Sequence, residues 1–291
     1  MSKSVMVITG HIPPSPTSAL LSTVRIEVLF SRGGFLTEAW DYELCSPFWR
    51  LYVNRRAGAE LELEGKRMSL RAETAYLLPA GLRFRTRLAK GARGVWQDFI
   101  HFEVDGFPPA LLRGLFPAPV VLPDVPEIAA PLAAWRAGLR EEEDLAQRLR
   151  ALALVHAAFA LAWEQATAEG RTAWAAWLEM PPAVAPALRR IEERPGDPPG
   201  NAELAMLCGL GTRQFLRRFT GAVGLSPGRY ALERRVALAA EALARGEEPV
   251  EAIAARLGFA DRFHFSKAFR ARVGVPPATY RRMHGARGGP R

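Results

Sequence analysis

The amino-acid sequence predicts an α+β protein of two domains, an N-terminal β-barrel followed by helices and a C-terminal domain made only of helices. Three observations predict it. Apolar residues alternate with polar ones early in the chain, they recur at helical spacing after Pro126, and the excess positive charge lies near the C-terminus. The 291 residues are enough for a buried core in each domain. We expect a first domain over residues 1–170, a linker over 171–182 and a second domain over 183–291.

Short strands are predicted throughout the barrel, about residues 20–125. In "AELELEGKRMSL", Leu61 and Leu63 alternate with glutamates, and the chain turns at Gly65-Lys66 before the alternation resumes. This pattern indicates a hairpin with one buried face. The stretch "LRFRTRL" alternates in the same way between apolar residues and arginines. Many short strands divided by Gly and Pro are typical of a barrel or a sandwich.

Helices are predicted over about residues 127–168. One of them carries a stripe of residues that recur three and four positions apart: Leu145, Leu149, Leu152, His156, Phe159 and Trp163. This spacing indicates an amphipathic helix, and acidic residues in its first turn suit the helix dipole. On such a stripe, His156 is better explained as a packed or interfacial residue than as a ligand.

The charge is distributed unevenly between the two predicted domains. Residues 1–182 contain 20 Lys and Arg against 20 Asp and Glu, whereas residues 183–291 contain 19 against 10. The whole net charge of +9 therefore lies in the C-terminal third. Such an asymmetry favours a polyanionic partner, with nucleic acid first.

One sequence motif occurs twice in the C-terminal domain. "GLGTRQFLRRFTGAVGLSPGRY" (209–230) and "GFADRFHFSKAFRARVGVPPATY" (258–280) both open with Gly and an apolar residue and end in Gly-x-x-Pro-x-x-Tyr. Each follows a short helix rich in small residues, with Ala205 and Ala254 at equivalent places. Small residues at a helix crossing and Gly at a sharp turn are what a helix-turn-helix unit needs. The predicted helices cover about residues 201–208, 212–222, 226–244, 250–257 and 261–272.

The second helix of each unit has an apolar back and a polar front. Phe215 and Phe219, and again Phe265 and Phe269, lie four residues apart and should face the core. The polar fronts consist of Arg213, Gln214, Arg217 and Arg218 in the first unit, and of Arg262, His264, Ser266, Lys267 and Arg270 in the second. Such a front suits the DNA major groove, where Arg reads guanine and Gln reads adenine. A merely solvated face is the alternative, and the repetition favours DNA.

The helix between the units has a suitable length. About residues 226–244 span roughly 28 Å at 1.5 Å per residue. Successive major grooves on one face of DNA lie about 34 Å apart. One connecting helix could therefore hold two recognition helices near that separation, with bending of the DNA making up the difference.

The stretch "IAARLGFADRFHFSKAFRARVGVPPATYR" (253–281) resembles the signature of the AraC/XylS family of transcriptional regulators. The preceding "ELAMLCGLGTRQFLRRFTGAVGLSPGRY" is similar to that family's first helix-turn-helix. The resemblance covers about residues 183–284 and implies a seven-helix DNA-binding domain. It implies base contacts by Arg213, Leu216 and Arg217, with Arg262, Ser266 and Lys267 at the corresponding places. It leaves open whether Leu216 meets a thymine methyl or no base. Gly211 departs from the pattern, because many members have a capping Ser there.

The N-terminal part resembles, less specifically, the cupin-type (jelly-roll) sensor domain of sugar-responsive members of the family. That resemblance implies a small-molecule effector and a homodimer formed by the helices after the barrel. Candidate effector contacts are Trp40, Trp49, Arg50, Tyr52, Arg55, Arg85, Trp96 and His101. These residue types stack on a polyol and hydrogen-bond to it. For each of them singly, an ordinary place in the core or on the surface is the alternative.

Enzyme functions are less consistent with the sequence. Gly224–Gly228 matches G-x-S-x-G, but a nucleophile elbow follows a strand, and here a helix precedes. The five histidines form no H-x-H pair for a cupin-type metal enzyme, and Cys45 and Cys208 are too few for a DNA-repair alkyltransferase. An architectural DNA-binding protein would not need a neutral, aromatic-rich N-terminal domain. We expect no catalytic residue, metal or cofactor.

The sequence thus predicts a cytoplasmic, dimeric transcription regulator that binds double-stranded DNA and responds to a small molecule. A sugar from a carbohydrate-utilisation pathway is the preferred effector. A non-sugar ligand, or none, is the alternative, and a cupin-type enzyme fused to a DNA-binding domain is less favoured. RNA polymerase is a conceivable further partner. We expect no membrane span and no signal peptide, because no apolar run approaches eighteen residues.

Overall fold

The structure is a computed structural model that describes residues 25–105, 109–139, 144–179, 183–246 and 248–284. The N-terminal part contains two antiparallel sheets. The five-stranded sheet has the order β1 (Arg25–Leu36), β8 (Val95–Asp105), β3 (Trp49–Asn54), β6 (Ala75–Leu78) and β9 (Val120–Val121). The four-stranded sheet has the order β2 (Tyr42–Cys45), β7 (Arg83–Leu88), β4 (Ala59–Leu63) and β5 (Lys66–Leu70).

The predicted barrel is corrected in one respect. Within the described residues the two sheets remain separate ladders, so they form a two-sheet sandwich and not a closed barrel. The predicted hairpin is confirmed, since Leu63 pairs with Lys66 across a turn. Glu64 and Gly65 both have positive φ there, at 48° and 77°, as a tight two-residue hairpin turn requires.

Eleven helices lie within the described residues. Four belong to the N-terminal part: α1 (Pro109–Leu115), α2 (Pro126–Ala137), α3 (Leu145–Glu164) and α4 (Ala168–Glu179). Seven follow: α5 (Ala185–Glu193), α6 (Asn201–Leu207), α7 (Thr212–Val223), α8 (Pro227–Arg245), α9 (Val250–Arg256), α10 (Arg262–Val273) and α11 (Pro277–His284). The predicted linker is helical as far as Glu179, and residues 180–182 lie outside the described ranges.

Helix α3 packs on the five-stranded sheet through its small residues and not through most of the predicted stripe. Its buried face includes Ala151, Leu154, Val155, Ala158 and Ala162, while Leu145 and Leu149 are 73% and 55% exposed. Alanines let the helix axis approach the sheet closely. The helix has the length and mean hydropathy (1.3) of a membrane span, which differs from the expectation above. One face of the helix is buried against the five-stranded sheet, and 39% of its most apolar window is buried.

Three apolar cores hold the fold together. One lies between the five-stranded sheet and α2 and α3, and another lies inside the first helix-turn-helix unit. The remaining core starts inside the sandwich and continues without a break into the second helix-turn-helix unit. Phe48 shows this continuity, because its ring lies 6.2 Å from that of Tyr280 in α11. The N-terminal part and the second unit therefore share one buried interior.

Candidate nucleic-acid interface

The first helix-turn-helix unit consists of α6 and α7. Gly209 makes the turn between them with φ of 63°, which favours glycine. Phe215 and Phe219 on the back of α7 are fully buried, with ring centroids 5.5 Å apart. Gly224 ends α7 in the left-handed conformation, and its N–H donates to the carbonyl of Thr220. The predicted helix bounds and core face are confirmed here.

The second unit repeats this construction in α9 and α10. Phe265 and Phe269 are fully buried with centroids 5.6 Å apart, and Gly274 ends α10 with φ of 94°. The start of α10 is better capped than that of α7. Asp261 accepts a hydrogen bond of 2.7 Å from the His264 N–H, whereas Gly211 offers α7 no side-chain cap.

The two recognition helices correspond residue for residue in sequence, with an offset of 50. Both are 12 residues long and both are closed by a left-handed glycine, at 224 and 274. This register places Leu216 with Ser266 and Arg217 with Lys267, as predicted. It corrects the remaining pair, because Arg213 corresponds to Phe263, and Arg262 corresponds to Thr212. In the sequence, the 50-residue offset between Phe215 and Phe265 indicates this correspondence.

The polar fronts of α7 and α10 point away from the core. The side chains of Arg213, Gln214, Arg217, Arg218, Arg262, His264, Lys267 and Arg270 are exposed, and Leu216 and Ser266 are half-buried. Leu216 packs against the core of its own unit. Arg262 donates to Glu251 at 2.6 Å. In the part of the chain that is described, no carboxylate lies within ion-pair distance of Arg213, Arg217, Arg218, Lys267 or Arg270.

Helix α8 fixes how the two recognition helices stand relative to each other. Its 19 residues span roughly 28 Å. It packs against α7 on one side and against α10 and α11 on the other. Its contact face is rich in alanine, including Ala237, Ala239 and Ala240. Close packing on both sides makes α8 a spacer that cannot bend freely.

The candidate effector residues fall into separate places. Arg50, Tyr52 and His101 lie inside the sandwich, where Trp40 is also buried. The guanidinium of Arg50 lies over the rings of Phe48 (4.7 Å) and Phe84 (5.4 Å) and donates to Ser46 Oγ.

The other candidates lie elsewhere. Trp49 faces the opposite side of β3 and packs against α3 through Phe159. Arg55 forms an ion pair with Asp98 at 3.1 Å and stacks on Trp96 at 5.1 Å. Arg85 forms an ion pair with Asp41 at the surface.

A cavity of about 500 Å³ lies between the N-terminal part and the C-terminal helices. Its wall includes Cys45, Trp49, Leu112 and Arg113 from one side, and Leu225, Arg229 and Ala237 from the other. Arg113 and Arg229 have no ion-pair partner within the described residues. Burial raises the pKa of the Cys45 thiol above its usual value. No local sequence pattern indicates this cavity, because its lining residues come from distant parts of the chain.

An ion-pair network crosses the same junction. Arg234 of α8 donates to Glu103 of β8 at 2.7 Å and to Glu192 of α5 at 2.8 Å. The hydroxyl of Tyr230 donates to the other oxygen of Glu192 at 2.5 Å. Glu103 is only 6% exposed. Arg234 therefore ties a sensor strand to the helix that separates the two recognition helices.

Two helix-turn-helix units joined by one helix, each with an exposed cationic front, are the arrangement of a helix-turn-helix domain. Residues 204–283 match a family model described as a helix-turn-helix domain. The chain is 34% identical over 79 residues to the probable transcriptional regulator LumQ of Photobacterium leiognathi, covering 27% of this chain and 32% of LumQ. It is 31% identical over 138 residues to a putative AraC-like transcription regulator of Streptomyces antibioticus, covering 47% and 45%. The matched part thus spans a third to a half of these relatives.

The fold is similar to that of a solved two-domain protein. ToxT from Vibrio cholerae matches with a TM-score of 0.55 at 13% identity, over 90% of this chain and 98% of ToxT. A structure of ToxT bound to an unsaturated fatty acid matches with a TM-score of 0.53 at 11% identity, over 90% and 96%. The comparisons confirm the resemblance to AraC-family transcriptional regulators by sequence in the C-terminal domain, and the match to ToxT shows a similar fold over most of the chain.

Proposed function

We propose that the protein is a sequence-specific transcription regulator that reads two successive major grooves of double-stranded DNA with α7 and α10. The observation that carries this proposal is the pair of equivalent helices whose exposed faces hold Arg213, Arg217 and Lys267 without carboxylate partners among the described residues. A cation that no protein group neutralises can exchange its water for a phosphate or a guanine edge. RNA polymerase is the expected partner through which DNA binding would alter transcription.

Substitution Arg217→Ala tests this proposal. A duplex obtained by in vitro selection with the full-length chain serves as the cognate site. We expect the substitution to weaken binding to it by roughly 1–3 kcal/mol and to relax the preference at one base pair. Arg67→Ala is the matched control, because Arg67 is 64% exposed on the hairpin between β4 and β5. Equal loss on all duplexes would make Arg217 a phosphate contact, and unchanged binding would overturn the assignment of α7.

The effector site that the geometry favours is the cavity at the domain junction. Its apolar wall would hold the body of a ligand, and Arg113 and Arg229, one from each side, would hold an anionic group. The fatty-acid-bound state of ToxT supports a ligand of this kind. A sugar is the second candidate, and the joint placement of Arg50, Tyr52 and His101 inside the sandwich favours it.

A thermal-shift screen of the full-length chain separates the two classes. Fatty acids form one arm, and mono- and disaccharides, sugar acids and polyols form the other. A ligand at a hundred times its dissociation constant stabilises the native state by about 2.7 kcal/mol. An anion in the cavity should lose this effect in Arg113→Ala and Arg229→Ala and should slow alkylation of Cys45 relative to Cys208. A sugar hit that both variants retain would place the ligand in the sandwich, and silence in both arms would favour control by another ligand or by none.

The link from effector to DNA is a population shift. A ligand alters DNA affinity only if it binds one arrangement of the domains better than another. Glu103 and Arg234 lie at the cavity wall and join β8 to α8, and Arg234 also donates to Glu192 of α5. A ligand that displaces Arg234 from Glu103 would release α8 from the five-stranded sheet and so change the position of α8, with the recognition helices packed on it, relative to that sheet.

The exposed side of α3 is the surface that we propose for dimerisation. It presents Leu145, Leu149 and the exposed His156, beside the half-buried Leu152 and Trp163. Covering such a stripe with a second copy would remove apolar surface from water. Sedimentation should show a dimer that Leu149→Glu converts to a monomer, whereas Arg67→Ala leaves it intact. A wild-type chain that sediments as a monomer at micromolar concentration contradicts this proposal.

A further inference from the structure

The second recognition helix carries a large apolar side chain where the first carries an arginine. Phe263 is 83% exposed, the highest value among the exposed large hydrophobic residues of the described chain. Its neighbour Phe265 fills the core, so the unit does not need Phe263 for its own packing. By the register set by Gly224 and Gly274, Phe263 stands where Arg213 stands in α7.

The position of Phe263 on α10 is one that meets DNA bases. It is the second residue of the helix, and N-terminal residues of a recognition helix reach the base edges in the major groove. Lys267 lies one turn further on the same face, because residues four apart are neighbours on a helix. Arg262, beside Phe263, is held by Glu251 at 2.6 Å and so points its charge to its own unit.

A phenyl ring can recognise only one feature of the major groove by contact. Bases present hydrogen-bond donors and acceptors there, apart from the C5 methyl group of thymine, which is apolar. A phenyl ring offers no hydrogen bond to the polar edges and buries apolar surface against that methyl group. The two units therefore differ in chemistry, with Arg213 and Arg217 suited to guanine in one and Phe263 and Lys267 suited to thymine and guanine in the other.

We propose that Phe263 is a specificity-determining residue that recognises a thymine methyl group in the half-site bound by α10. This inference rests on the proposed function, since it requires that α10 enters the major groove. It adds that the two half-sites of one protomer differ in sequence and that one thymine is read by apolar contact alone.

Replacement of thymine by deoxyuridine in the selected duplex tests the inference, because it removes the methyl group and keeps the base pair. We expect one such replacement to weaken binding of the wild-type chain about fourfold, the factor for one buried methyl group. Phe263→Ala should bind the thymine duplex more weakly and should show no further loss at that position. Met206→Ala is the matched control, since Met206 is also exposed (75%) but lies on α6, and it should keep the wild-type response.

Two results would overturn the inference. One is a wild-type chain that binds every single-deoxyuridine duplex as tightly as the thymine duplex. The other is a Phe263→Ala chain that keeps the fourfold response while its thermal unfolding is unchanged. Failure of the selection to enrich any sequence is a different outcome, which overturns the proposed function and this inference together.

Discussion

Removal of the Arg234 side chain should uncouple and destabilise the domain junction. In Arg234→Met, the carboxylate of Glu103 stays in a place that is 6% exposed and loses the guanidinium that now lies 2.7 Å away. Breaking a buried ion pair from one side costs about 3–5 kcal/mol. We expect about 3 kcal/mol, the lower end of that range, because the Arg234 side chain is 17% exposed.

The assay is thermal unfolding of the full-length chain, followed by circular dichroism. A loss of about 3 kcal/mol should lower Tm by roughly 5 °C. The double substitution Arg234→Met with Glu103→Gln also removes the charge that pairs with Arg234, and it should recover part of the loss. Arg67→Met, at an exposed arginine of the β4–β5 hairpin, should leave Tm unchanged. Glu103→Gln is also measured alone. A double variant whose loss equals the sum of the losses of Arg234→Met and Glu103→Gln would contradict this, since the two groups would then not interact.

Three further predictions concern single sites. Asp261→Ala should lower the free energy of unfolding by about 1 kcal/mol, because α10 loses its N-cap hydrogen bond. Gly211→Ala should lower it less, because Gly211 has no side chain that accepts such a bond at the start of α7. Equal urea-unfolding curves for the wild type and Asp261→Ala would contradict this. Gly274→Ala should destabilise the protein more than Gly209→Ala. Both glycines have positive φ, but an added Cβ would lie 1.8 Å from the Glu43 carbonyl oxygen at Gly274 and would meet nothing within 4 Å at Gly209. Equal Tm values for the two variants would contradict the close approach of α10 to β2. Alkylation of Cys45 should be slow at neutral pH and should accelerate only above the pH at which an ordinary thiol ionises. The reason is that burial raises the pKa of the Cys45 thiol, and the thiolate is the reactive form. An alkylation rate equal to that of free cysteine at pH 7 would contradict this prediction.

The helices of the C-terminal domain were largely predictable, because the sequence signals that mark them are local. Glycine at positive φ, proline after the turn and aromatic residues four apart mark each helix, and α7 was predicted within one residue of its observed end. The pairing of Phe263 with Arg213 could also be read from the 50-residue offset. Asp261 before the helix also predicts the N-cap of α10, which the structure confirms, whereas the ion pair of Arg262 with Glu251 needed the structure.

The structure of the N-terminal part was less predictable, because its sheet geometry depends on contacts between residues that are distant in sequence. Two sheets and a closed barrel have the same alternating strands and differ only in which edges pair. Alternation along β3 does place Trp49 and Arg50 on opposite faces, so the sequence itself argued against one pocket holding both. The Glu103–Arg234 pair joins residues 131 apart, and no local pattern indicates it.

Hydroxyl-radical footprinting of the full-length chain on its selected duplex shows whether one protomer reads DNA with two helices. The connecting helix α8 predicts two protected stretches on one face of the duplex, about one helical turn apart. Arg217→Ala should weaken one stretch, and Phe263→Ala should weaken the other. A single protected stretch that both substitutions weaken equally would contradict the two-helix account and leave one functional helix-turn-helix unit.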